Sequence, residues 1–196
     1  MASALILASS SAYKRGLLAR LQLPFECADP AVDESPRAGE AVAALARRLA
    51  EAKARRIAAD NPGTVVIGAD QAAECSGLRL GKPGTRVRAL EQLEHCSGRV
   101  AQFHTAVALV RDDTLLGSRC ILTEVEFRQL SPSAIEDYVD RDKPFDSAGS
   151  FRWEGLGIAL FERLRSDDPT ALEGLPLIAL CSLLAEIGIY CINPAT

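Results

Sequence analysis

No Cys-x-x-Cys pair occurs in this sequence, although it holds six cysteines at positions 27, 75, 96, 120, 181 and 191. The spacing argues against a zinc site. A disulfide framework is out of place in a domain of this size without a secretory signal. The cysteines are therefore expected to be buried, reduced thiols. Histidine is scarce too: His95 and His104 stand alone, lack metal-ligand spacing and are assigned structural roles. No apolar run approaches membrane-spanning length, and Ala4–Ala8 is too short and lacks the basic flank of a signal peptide. Positive charge is also short, with 22 Lys and Arg against 26 Asp and Glu, a net charge of −4 and a pI near 5.3. That balance argues against polymeric nucleic acid as a partner, but leaves small anions open, because a few local cations serve them. Internal repeats and low-complexity segments are absent. These absences describe a soluble, cytoplasmic protein that does not engage a membrane.

What is present is ordinary in bulk: 196 residues, 48% hydrophobic and 24% charged. The length predicts one domain over 1–196, with room for two lobes and a sizeable core. The most informative stretch is Thr64-Val65-Val66-Ile67-Gly68-Ala69-Asp70-Gln71, a β-branched run between Pro62-Gly63 and Gly68. It predicts a buried strand closed by Gly68, with Asp70 at its carboxyl end. Ligands of open α/β sheets bind just outside such ends. A buried carboxylate there needs a cation, a hydrogen-bonding cage or water. The alternative is a turn Asp bonded to its own backbone.

Taken in order, Leu5–Ala8 predicts a first strand, and Ser9-Ser10-Ser11 leads into a helix with Leu17, Leu18 and Leu21 at core spacing. A strand, a hydroxyl-rich turn and a helix start form a ready anion site. Lys14 and Arg15 in the first turns oppose the helix dipole, a conflict that a bound phosphate would remove. Serine capping with solvated cations is the plainer alternative. Phe25–Ala28 predicts a short strand, and Asp33-Glu34 falls in a loop bracketed by Pro30 and Pro36. A helix follows over about 40–59. In its row Leu45, Leu49, Lys53, Ile57, the lysine interrupts an apolar stripe. It either snorkels to the edge or points into a site. Arg47, Arg48, Arg55 and Arg56 are assigned to the solvated face.

Beyond Gln71, residues 72–80 predict a hairpin around Ser76-Gly77, returning to Gly81-Lys82-Pro83. Pro83 holds Lys82 extended, which suits an ammonium aimed at phosphate; a plain turn is the alternative reading of Gly-Lys-Pro. A helix over about 86–94, a turn at Ser97-Gly98, paired strands over 100–110 and 120–130, and a helix from Ser131-Pro132 to about 140 come next. Ile158–Phe161 predicts an apolar strand, 166–169 a loop, and a closing helix ends near Ile187. Strands and helices alternate around an antiparallel middle, the pattern of a mixed-sheet α/β domain.

Taken together, the ordered set resembles the Maf family: Leu-Ile-Leu-Ala-Ser near the start, Lys14-Arg15, Val32-Asp33-Glu34, Lys53, Gly68-Ala69-Asp70-Gln71, Gly81-Lys82-Pro83, Ser97-Gly98 and Gly174-Leu175-Pro176-Leu177. These proteins are nucleoside triphosphate pyrophosphatases, and the resemblance covers nearly the whole chain. Asp70-Gln71 and the stretch Ala148–Gly155 resemble the 7-methyl-GTP pyrophosphatase subfamily, whereas the dTTP/UTP subfamily usually has Thr where Gln71 stands. The resemblance implies a bilobed, mixed-sheet α/β fold of the Maf/ITPase-like kind with a central nucleotide-binding cleft. It implies a divalent metal, Mg or Mn, with Glu34 and Asp70 as ligands. It makes Asp70 the proton-accepting catalytic carboxylate, and Ser9, Arg15, Lys53 and Lys82 the phosphate-binding groups. Specificity positions fall on Tyr13, Gln71 and Glu154. The implied partner is a small-molecule nucleotide, and a homodimer is among the expectations. The rival substrates are dTTP and UTP. A rival of another class is a nucleotide-binding regulator of septum formation.

Overall fold

The computed structural model describes residues 5–193; Ala4, at the head of the apolar N-terminal run, lies outside the described residues. The chain divides into two compact units. The first comprises 1–71, 105–121 and 168–196, and the second comprises 72–104 and 122–167.

In the first unit, β1 (Leu5–Ala8) pairs in parallel with β2 (Phe25–Ala28) and with β3 (Val65–Cys75). Alternation along β1 and β3 sends side chains to two apolar layers. Leu5, Leu7, Val65 and Ile67 pack with Leu17 and Leu18 of α1 (Ala12–Ala19) and with Leu180, Leu183 and Leu184 of α5 (Leu177–Glu186). Ile6, Ala8 and Val66 pack on the opposite face with Ala54, Ile57 and Ala58 of α2 (Val42–Ala58). Strands covered on both faces are the mark of parallel sheets flanked by helices. The pairing order is β2-β1-β3-β5-β6-β7, with β4 (Leu78–Leu80) on β3. Here β5 is Val100–Arg111, β6 is Thr114–Phe127 and β7 is Phe161–Ser166. Parallel and antiparallel pairs occur together, so the expected mixed-sheet α/β class is the observed one.

In the second unit, β3 turns back into β4 through Ser76 and Gly77, whose φ values of 47° and 82° are those of a primed hairpin turn. The helices are α3 (Arg86–Cys96) and α4 (Pro132–Asp142), capped by Thr85 and Ser131. Phe103, Phe127, Phe151 and Phe161 form an edge-to-face cluster with ring centroids 4.8 to 5.7 Å apart.

Several expectations are corrected. β3 does not close at Gly68 but runs to Cys75, because β4 pairs with its second half. Asp70 therefore lies within the strand. The parallel register with β1 does end at Ala8–Gly68, so Asp70 stands just past the carboxyl end of its neighbour. Residues 156–160 form a 3-10 turn and the strand starts only at Phe161. Gly155 and Gly157 both donate to the Arg152 carbonyl there, which curls the chain before it reaches β6. β7 then extends through Ser166, and β6 starts at Thr114 rather than Cys120. All six cysteines are free thiols, but only Cys75 and Cys96 are buried; Cys27, on edge strand β2, is exposed. Among the four arginines of α2, Arg47 and Arg56 are solvated, whereas Arg48 and Arg55 are half-buried in ion pairs. No helix among the described residues is long and apolar enough to cross a membrane.

Candidate active site

The site starts from a glycine. A Cβ on Gly68 would lie 2.0 Å from the Ala50 carbonyl oxygen and 2.9 Å from Ala54 Cβ. With hydrogen in that place, α2 lies directly against β3. The row Leu45, Leu49, Lys53, Ile57 faces inward along its whole length. Lys53 is only 7% exposed, so it points into the protein rather than snorkelling. Two residues after Gly68, the alternation of the strand presents Asp70, also 7% exposed, to that ammonium.

Lys53 Nζ lies 2.5 Å from Asp70 Oδ1 and 2.6 Å from Glu34 Oε1. Burial pulls the Lys53 pKa down, but Asp70 and then Glu34 outweigh it and hold it above the ordinary lysine value. Glu34 arrives from the loop between β2 and α2. Beside it is a local turn in which Asp33 Oδ1 accepts the Ser35 amide at 2.9 Å. Hydrogen bonds from the Ser35 hydroxyl and then from its amide lower the Asp33 pKa. The loop expected from its prolines is thus present, and Glu34 rather than Asp33 reaches inward.

Around this trio, Lys14 Nζ donates to the Ala69 carbonyl at 2.8 Å, on the peptide that leads into Asp70. Lys14 lies outside the expected site set; its cation opposing the helix dipole was the signal for it. Ser9 is buried, and its hydroxyl accepts the Ser11 amide at 3.1 Å; Ser11 in turn caps α1. Arg15 and Tyr13 are exposed on α1. Gln71 is more constrained than a free base reader. Its Nε2 donates to Thr105 Oγ1 at 3.0 Å and to the carbonyls of Ala171 and Leu172 at 3.0 and 3.2 Å.

Two of the expected residues belong to the second unit. Lys82 is exposed in an extended segment whose frame is braced by Gly149 N to Gly81 O and Gly84 N to Phe145 O. Glu154 is exposed in a loop tied to α4, where the Arg152 amide donates to the Tyr138 hydroxyl and that hydroxyl donates to Asp142. Burial raises the Tyr138 pKa, so the phenol stays a donor. His95 donates to the Cys75 carbonyl at 2.8 Å, a structural contact. Ser97 accepts the Leu130 amide at 2.8 Å, so the Ser97-Gly98 motif ties a turn to the end of β6.

Two carboxylates, Glu34 and Asp70, are the candidate donors for a divalent cation, each with one oxygen on the Lys53 ammonium. No group of three or more His, Cys, Asp or Glu side chains suited to a metal occurs among the described residues. Two hard oxygen ligands fit an ion such as Mg, which keeps several waters and takes further oxygens from a phosphate.

With the geometry in place, comparison with known proteins fixes the class. The family model described as Maf-like protein matches residues 4–187. The chain belongs to the Maf family. It is 55% identical over 186 residues to a 7-methyl-GTP pyrophosphatase of Xanthomonas oryzae pv. oryzae (strain MAFF 311018), covering 95% of this chain and 97% of that protein. A 7-methyl-GTP pyrophosphatase of Bordetella avium (strain 197N) is 52% identical over 185 residues, covering 94% and 93%. Among solved structures, a HAM1 protein from Coxiella burnetii matches with a TM-score of 0.45 and 19% identity, over 65% of this chain and 74% of that one.

Proposed function

We propose that this chain is a 7-methyl-GTP pyrophosphatase, hydrolysing 7-methyl-GTP to the monophosphate and pyrophosphate. The observation that carries the chemistry is the buried ammonium of Lys53 held between Asp70 and Glu34. The names of its near-full-length relatives support the substrate.

In this reading a water oxygen forms a bond to the α-phosphorus as the bond from that phosphorus to the β-phosphate oxygen breaks. Asp70 orients the water and accepts its proton. Lys53 holds the carboxylate in place, and its positive charge offsets the negative charge that spreads over the phosphate oxygens. Arg15, Lys82 and the Ser9 turn bind the phosphates. A divalent cation, Mg or Mn, held by Glu34 and Asp70, would add Lewis-acid neutralisation of the same charge. A 7-methylguanine ring is cationic, which favours an aromatic face and a carboxylate. Tyr13 and Glu154 offer these two groups, and Gln71 lies beside the reacting acid. The whole chain, 1–196, acts as one pyrophosphatase domain in the cytoplasm on a small-molecule nucleotide.

A panel of nucleotides assayed for released pyrophosphate with Mg or Mn tests the reading. Preference for 7-methyl-GTP is the expected result. Preference for dTTP or UTP would replace it with the pyrimidine activity, against which Gln71 stands.

A further inference from the structure

Glu34 presents a problem of its own. Its side chain is 62% exposed, so burial does not hold it against Lys53. Something must fix the loop that carries it.

Arg48 lies on α2, five positions before Lys53. Its Nε donates to Glu40 Oε1 at 2.7 Å and its Nη2 to Glu40 Oε2 at 2.8 Å. This is the two-pronged geometry in which guanidinium and carboxylate bind most firmly. The same Nη2 donates to the Ser35 carbonyl at 3.1 Å, one residue from Glu34. Glu40 Oε2 also accepts the Arg37 amide at 3.0 Å. The loop is thus tied at residues 35, 37 and 40, directly or through Glu40, to a single side chain of α2. Both partners are withdrawn from water, with side-chain exposures of 22% for Arg48 and 10% for Glu40. The proposed chemistry uses neither of them.

We propose that Arg48, with Glu40 as its counter-ion, is a positioning residue that holds the 33–40 loop where Glu34 meets Lys53. The inference rests on the pyrophosphatase reading above. Because α2 carries both Arg48 and Lys53, one rigid helix sets the loop and the ammonium it must reach. A lysine at position 48 would keep the charge but lose the fork that grips Glu40 and Ser35 together.

The test uses the full chain and the variants Arg48→Gln, Arg48→Lys, Glu40→Gln, Glu34→Gln and the double variant Arg48→Gln/Glu34→Gln. Two readouts are compared: kcat/KM for 7-methyl-GTP, and the rate of tryptic cleavage after Arg37, which is exposed within the loop. Arg48→Gln and Glu40→Gln are each expected to lower kcat/KM by roughly tenfold to a hundredfold, as loss of such outer contacts does. Both should speed cleavage after Arg37, and Arg48→Lys should restore only part of either. The double variant should be no slower than Glu34→Gln alone, because the two changes break one contact. Multiplied losses in the double variant would overturn the proposal, as would unchanged cleavage after Arg37 in a slowed Arg48→Gln enzyme. Should Arg48→Gln fail to fold, Glu40→Gln combined with Glu34→Gln decides the same question. A wild-type chain that hydrolyses none of the nucleotides would defeat the pyrophosphatase reading instead, and the cleavage rates would still decide whether Arg48 holds the loop.

Discussion

Gly68 of β3 and Ala50 of α2 approach so closely that a Cβ on the glycine would lie 2.0 Å from the Ala50 carbonyl oxygen. Backbone is the obstacle, so no rotamer change relieves it. Gly68→Ala is expected to push α2 outward and draw Lys53 away from Asp70. Overpacking of this kind costs about 1–3 kcal/mol, and activity should fall further than stability. Thermal unfolding and kcat/KM measured side by side check this.

Without the Lys53 ammonium the buried carboxylate of Asp70 is stranded. Lys53→Met leaves an uncompensated buried carboxylate, and such breaks cost about 3–5 kcal/mol. Asp70→Leu added to Lys53→Met should recover much of that stability while leaving the enzyme inactive. Urea unfolding of the single and double variants gives the comparison. Equal stability of wild type and Lys53→Met would contradict the pair.

Asp168 is buried and accepts the amides of Ile178 at 2.7 Å and Ala179 at 3.2 Å at the start of α5, with the Thr170 hydroxyl at 2.6 Å. Asp168→Ala removes this brace and leaves those donors unpaired. The expected cost is about 2 kcal/mol, at the upper end for a helix cap. It should appear as a lower Tm with KM unchanged below the transition.

Strong acid should loosen the 33–40 loop. The Arg48 fork, then the Arg37 amide, hold the Glu40 pKa down at about 2, against 4.5 for a free glutamate. A folded pKa below the unfolded one contributes stability that is present above 4.5 and is lost as pH falls through about 2. Glu40→Gln should flatten the dependence of Tm on pH across that window. An unchanged pH profile would contradict it.

Much of this was legible in the chain itself, for reasons that differ by element. The row Leu45, Leu49, Lys53, Ile57 is a local pattern, and a lysine on it had two exits; the structure chooses the inward one because Asp70 waits there. The β-branched run from Val65 announces a strand, but its end does not, because β4 supplies pairing beyond Gly68. Ile158–Phe161 has strand composition, yet the two glycine amides on the Arg152 carbonyl curl it first. Arg48 read as one of four solvated arginines because its partner, Glu40, lies across the helix start, where periodicity carries no information. Lys14 and Ala69 are 55 positions apart, and only the fold brings them together.

The most direct measurement is pyrophosphate release from 7-methyl-GTP by wild type and by Asp70→Asn, with Mg or Mn present and folding verified by circular dichroism. Asparagine keeps the size of the side chain but gives up the charge that takes the proton from water, and loss of a general base costs about a hundredfold to ten-thousandfold. The account expects a folded variant that binds the nucleotide and turns it over at least that much more slowly. An Asp70→Asn protein as fast as wild type would contradict it.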